Sequence, residues 1–261
     1  MAVLSDSAAI AGRVPQVADN ASQRTKQAQD RQLARWGGIA GMVGALLLVV
    51  SAVVVTAMGL PDASDVETLQ DFANIETGRI IEHFLYLGAL MGMALHVFAL
   101  YRLLKKPHRP AALFAKAMAA FGLVIMAASS VLHVSTAALA DLYNAPDASP
   151  QDLRAIEYAW YGAQSVFDTM LATGALLVPI GMILFGVAMW KAPGFGSRFG
   201  GLGVGLGLIG VIGATIGIID PGSPALAASV LAMAVFHLGT GWRTYKLPDN
   251  TSVDLTRSAV G

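Results

Sequence analysis

The sequence predicts an all-α bundle of six transmembrane helices with both termini on the cytoplasmic side. Three observations predict it. Of 261 residues, 55% are hydrophobic and 13% charged, against about 25% charged in soluble domains, and mean hydropathy is +0.61. Six apolar runs are long enough to cross the hydrocarbon core, which takes about 20 helical residues. The cations sort onto alternate connections between the runs, as the positive-inside rule requires. Because the runs are continuous rather than alternating, they favour helices over a barrel.

The runs, in order, are Trp36 to Met58, Ile80 to Leu104, Ala111 to about Ala138, a stretch within Tyr158 to Trp190, Phe199 to Ile219, and Ala225 to Trp242. They divide the chain into a polar cytoplasmic segment (1–34), a membrane domain (35–246) and a cytoplasmic tail (247–261). The first segment carries Arg13, Arg24, Lys26 and Arg31 without an apolar stretch. It therefore does not read as a cleavable signal, and the first run is expected to act as an uncleaved anchor. With the N-terminus inside, all 17 Lys and Arg except Arg79 and Arg154 fall on the cytoplasmic side or at its interface. Acids gather opposite: Asp62, Asp65, Glu67, Asp71 and Glu76 in one loop, and Asp141, Asp147, Asp152 and Glu157 in another. The expected location is a bacterial plasma (inner) membrane.

The two outer loops carry helical signals. Val66, Leu69, Phe72 and Ile75 recur every third position, which suits a short helix lying on the membrane or the bundle. Ser149–Pro150–Gln151–Asp152 has a capping serine, proline at the first helical position and an early acid. Pro179 is expected to kink the fourth helix.

Two pairs of spans share their punctuation. Arg35–Trp36–Gly37–Gly38 opens the first, and Arg198–Phe199–Gly200–Gly201 opens the fifth. The second ends with His96, Tyr101–Arg102, Lys105 and Pro107, and the sixth with His237, Trp242–Arg243, Lys246 and Pro248. This is the pattern of a parallel repeat of hairpins 1–2 and 5–6. Interface preferences alone place aromatics and cations at such ends, so only the matched histidines exceed them. In the fifth span Gly203, Gly207, Gly210, Ala214 and Gly217 form one small-residue face. It is read as intrachain packing, with homo-oligomer formation as the alternative.

Ionisable groups within a membrane are costly, so each is a candidate for function. They are Glu82, His83, His96, His133, Asp168 and His237. Glu82, His83, His133 and Asp168 lie towards the outer side, and imidazole with carboxylate suits a divalent metal. Alternatively, His83 with His133 and His96 with His237 have the residue types to hold haem b between facing helices. Against this, His83 and His96 are thirteen residues apart, which leaves them roughly 140° from a common face on a straight helix. The competing reading is plain hydrogen bonding between helices. Ser129 and His133 have a spacing that resembles one element of membrane ceramidase and adiponectin-receptor-like hydrolases. Those carry a His-x-x-x-His pair on a late helix, and no second histidine stands at that spacing from His237.

The absence of cysteine excludes disulfides, thiolate metal sites and cysteine nucleophiles. Zero net charge gives no reason to expect nucleic acid. No phosphate loop, G-x-S-x-G elbow, H-E-x-x-H or dinucleotide fingerprint is present. The Arg-aromatic-Gly-Gly openings at Arg35 and Arg198 and the Tyr101–Arg102 ending resemble an uncharacterised family of bacterial six-helix membrane proteins over residues 30 to 246. That resemblance implies the fold and supplies no catalytic residues. The expected role is a binding or accessory membrane protein, in contact with lipid and with other membrane subunits or copies of itself. The alternatives are a haem- or metal-binding redox or hydrolytic protein, and a small-solute transporter.

Overall fold

The computed structural model describes residues 13–58, 67–220 and 223–247. The elements are α1 (Arg13–Ala57), α2 (Glu67–Gln70), α3 (Phe72–Leu104), α4 (Arg109–Ser135), α5 (Ala137–Tyr143), α6 (Pro150–Trp190), α7 (Gly196–Ile219) and α8 (Ala225–Tyr245). Six of them, α1, α3, α4, α6, α7 and α8, are long and apolar enough to cross a membrane. Asp62, Asp65, Val66 and Pro248, and the polar ends 1–12 and 248–261, lie outside the described residues.

The helices run past the apolar stretches that predict them. In α1 helix begins at Arg13, well ahead of Trp36, and α3 begins at Phe72 rather than Ile80. Phe72 and Ile75 thus belong to the second span, and only α2 remains of the separate loop helix. The third span, Arg109–Tyr143, contains the expected run and is interrupted after Ser135, where α4 gives way to α5. The start of α6 is as predicted. The Asp152 N–H donates to Ser149 Oγ at 3.2 Å, and the Ser149 N–H donates to Asp152 Oδ2 at 3.1 Å. This reciprocal cap satisfies two donors that a helix start leaves open. The 41 residues of α6 continue through Pro179. At 1.5 Å per residue they reach about 60 Å, twice the hydrocarbon thickness, so the first half of α6 stands clear of the apolar core.

The spans form a closed ring in chain order, α1–α3–α4–α6–α7–α8, with α8 returning to α1. Met93, Leu100, Met126, Met182, Phe185, Met189, Met233 and Phe236 fill the interior. Outward, Phe84 is 72% and Met91 69% exposed, an arrangement that suits lipid as solvent. Without a hydrophobic drive between helices in lipid, close backbone contact must hold the ring. Gly44 meets Gly92 between α1 and α3, Gly122 meets Gly174 between α4 and α6, Gly186 meets Gly203 between α6 and α7, and Gly38 meets Gly241 between α1 and α8. A Cβ on Gly44 would sit 2.7 Å from the Ala89 oxygen, and one on Gly186 would sit 2.6 Å from the Val204 nitrogen. The small face of α7 likewise seats on its own chain, Gly207 and Gly210 against Pro179 and Gly217 against Leu226.

The two ends of the ring differ. At the basic end, α1 enters and α8 leaves. At the far end α2, α5 and the start of α6 make a small cap around Leu69, Phe72, Ala140 and Trp160. Phe72 meets Trp160 edge-on at 6.5 Å between ring centroids. The Asn144 amide donates to the Leu69 carbonyl at 2.8 Å, tying α2 down.

Candidate functional site: two imidazole pairs

Each of the four membrane histidines faces another. His83 Nε2 lies 3.2 Å from His133 Nδ1 near the far end. His96 Nδ1 lies 2.9 Å from His237 Nδ1 towards the basic end. The 140° offset along α3 is accommodated because its two histidines have different neighbours. His83 faces α4, and His96 faces α8.

The far-end pair is backed by charge and opens on a cavity. His83 Nδ1 is 2.8 Å from both the Arg79 carbonyl oxygen and Glu82 Oε2. Both are acceptors, so in the neutral ring Nδ1 carries the proton and Nε2 accepts from the His133 Nδ1–H. Ser51 of α1 donates to Glu82 Oε1 at 3.4 Å. The Phe167 ring of α6 lies against His133, with centroids 4.5 Å apart. Beside the pair is a cavity of about 140 Å³ lined by the polar side chains of Glu76, Arg79, His83 and His133 and by the apolar ones of Phe72, Ile80, Val134 and Ala137. Glu76, Arg79 and His83 follow at i, i+3 and i+7 on α3, one helical face.

The basic-end pair is closed. His96 and His237 are 0% and 1% exposed, and the Phe236 ring lies beside His237. On the α1 side of His96 there is no room even for a methyl, since a Cβ on Gly41 would fall 2.5 Å from the imidazole. One Nδ1 must donate to the other. His96 Nε2 is buried without a partner, and an orphaned N–H is rarer than an under-used acceptor. We therefore assign the donated proton to His96 Nδ1, with the His237 proton on its Nε2.

The metal set of the sequence analysis is only partly assembled. Glu82, His83 and His133 form one chain of contacts, while Asp168 is exposed on α6, one residue past Phe167. Among the described residues no three His, Cys, Asp or Glu side chains gather as ligands for a metal ion. Haem would need its two imidazole nitrogens about 4 Å apart, twice a metal–imidazole bond of about 2 Å. At 3.2 and 2.9 Å these rings touch one another instead. Ser129 donates back to the Met126 carbonyl at 2.8 Å, so its hydroxyl is engaged within its own helix. Glu76, Arg79, Ser51 and Phe167 were not singled out as site residues by the sequence. The Glu76–Arg79–His83 spacing was the available signal, hidden by placing Glu76 in a loop and starting the span at Ile80.

The ring of six apolar helices with polar side chains turned inward defines a multi-pass membrane protein. More narrowly, the chain belongs to the family described as "Domain of unknown function (DUF4386)", which matches residues 42–245 and so takes in both imidazole pairs. No curated protein and no solved structure matches the chain.

Proposed function

We propose that the protein is a binding protein of the bacterial plasma membrane, without catalytic activity of its own, and that its ligand site is the far-end cavity between α3 and α4. The observation that carries this reading is the composition of that cavity. It combines a carboxylate, a guanidinium and two imidazoles with an apolar wall, the mixture by which small-molecule sites orient a ligand. Drug-sized ligands occupy roughly 300–1,000 Å³, so a cavity of about 140 Å³ calls for a smaller one. The ligand is a small molecule with a polar, charge-bearing head and a short apolar flank. The distribution of Lys and Arg supports cytoplasmic termini, which would open the cavity to the outside.

The lack of cysteine makes a clean test available. Glu76→Cys is to be treated with a membrane-impermeant maleimide on sealed cells, and is expected to label without permeabilisation. A panel of small zwitterions and acids is then screened for thermal stabilisation of the purified protein. Stabilisation by a hit should vanish in His83→Ala and His133→Ala. Labelling only after permeabilisation overturns the outward-facing site. Hits that survive both substitutions overturn the cavity as the binding site.

A further inference from the structure

A groove of about 560 Å³ at the basic end, on the seam between α1 and α8, is lined by Arg31, Gln32, Arg35, Trp36, Ile39 and Tyr245. We propose that it binds the headgroup of an anionic phospholipid. Arg31 and Arg35 are one turn apart on α1 and project from the same face. Side chains so placed converge on one phosphate group. Guanidinium is the side chain best suited to paired hydrogen bonding with phosphate oxygens.

The depth is that of a headgroup. Both arginines directly precede the apolar run, and Trp36 (64% exposed) and Tyr245 (41% exposed) flank the groove as interfacial aromatics do. Trp242 stacks on Tyr245 with centroids 6.3 Å apart. The Lys246 ammonium sits 4.1 Å over the Trp242 ring and so adds a third cation at the edge. On the membrane side the floor is apolar, formed by Trp36 and Ile39. Below it the Gly38–Gly241 contact closes the seam, leaving a shelf rather than a tunnel. A free phosphate has no use for an apolar floor, whereas the glycerol and first acyl carbons of a lipid fit one.

The test is native mass spectrometry of the full-length protein in a non-ionic detergent, with dioleoyl phosphatidylglycerol or dioleoyl phosphatidylcholine added. One phosphatidylglycerol is expected to bind in preference to phosphatidylcholine. Arg31→Gln with Arg35→Gln should weaken it roughly 30-fold, about 2 kcal/mol for two interfacial cations. Lys105→Gln with Lys106→Gln, on a different connection, should leave it unchanged. Should the double glutamine variant not fold, Arg31→Lys with Arg35→Lys is expected to keep the preference for phosphatidylglycerol at reduced affinity. Equal binding of the two lipids, or undiminished binding by the glutamine variant, overturns the proposal. So does displacement of the lipid by millimolar inorganic phosphate, which would make this a free-anion site.

Discussion

The two imidazole pairs are alike in chemistry and opposite in surroundings. His96 and His237 touch inside an apolar shell, at 0% and 1% exposure, with the Gly41 backbone pressed against one ring. His83 and His133, at 6% and 8% exposure, touch beside a cavity with Glu82 behind them and Glu76 and Arg79 in front. The seams differ in the same way. Gly38, Gly41 and Gly44 of α1 fit it closely against α8 and α3 around the first pair, whereas Gly88 and Gly92 of α3 face α1 and Gly122 of α4 faces α6, away from the seam that holds the second. A pair sealed among glycines contributes to holding the ring closed. A pair on a cavity among charges remains accessible to a ligand. The two should therefore respond to different perturbations.

The largest effect is expected from Gly41→Leu. Its Cβ would lie 2.5 Å from His96 Cγ and Nδ1, so the ring must leave His237 or the helices must part. Overpacking of this kind costs about 3 kcal/mol or somewhat more, to be read as the unfolding midpoint of the purified protein. An unchanged midpoint would mean that the basic-end seam is looser than its contacts imply. Next comes His96→Leu, which leaves His237 Nδ1 without its partner in an apolar interior, at about 2 kcal/mol. Adding His237→Leu should recover part of that loss, since an apolar pair needs no hydrogen bond. A double-mutant cycle should give a coupling of about 1 kcal/mol, in the range of interhelical hydrogen bonds in membranes. Additive losses would show that the two imidazoles act separately.

The bundle itself was legible because its cause is one-dimensional. A span needs a continuous apolar run and a basic flank, both visible along the chain, and six were found where six stand among the described residues. The Ser149 cap is equally local, and it was read correctly. Helix length beyond the membrane was legible at α6, where the Ser149 cap marks the start of a helix running to Trp190, but not at α1 or α3. The segments 13–35 and 72–79 lie ahead of the continuous apolar runs, and at the start of the second Leu69 and Phe72 pack with Trp160 and Ala140. The histidine pairs expected from the sequence, His83 with His133 and His96 with His237, do face one another. The histidines announce themselves as polar residues in apolar runs, but which helix each faces depends on ring order. Two rings 140° apart on α3 were set against haem in the sequence reading. In the ring they simply meet α4 and α8. Depth along the span placed Asp168 with the others, and on α6 it is exposed.

At the far end the same substitution should matter less to stability and more to binding. His133→Leu leaves His83 Nε2 facing a cavity that water can enter, so the loss should be about 1 kcal/mol or less, below that of His96→Leu. Any stabilisation by a small ligand should disappear with it. A loss equal to that of His96→Leu would abolish the distinction drawn between the pairs.

The smallest expected effect isolates what the carboxylate does. Glu82→Gln keeps an acceptor beside His83 Nδ1, and the Arg79 carbonyl at 2.8 Å already holds that proton. The tautomer of His83, read from its imidazole nitrogen resonances, should therefore not change, and the unfolding midpoint should move by no more than about 0.5 kcal/mol. If the His83 proton instead moves to Nε2, it confronts the His133 Nδ1–H, and the pair must rearrange. That outcome would make Glu82, rather than the α3 backbone, the group that orients the site. Any change in ligand preference would then be charge-dependent at the first imidazole rather than at the cavity wall.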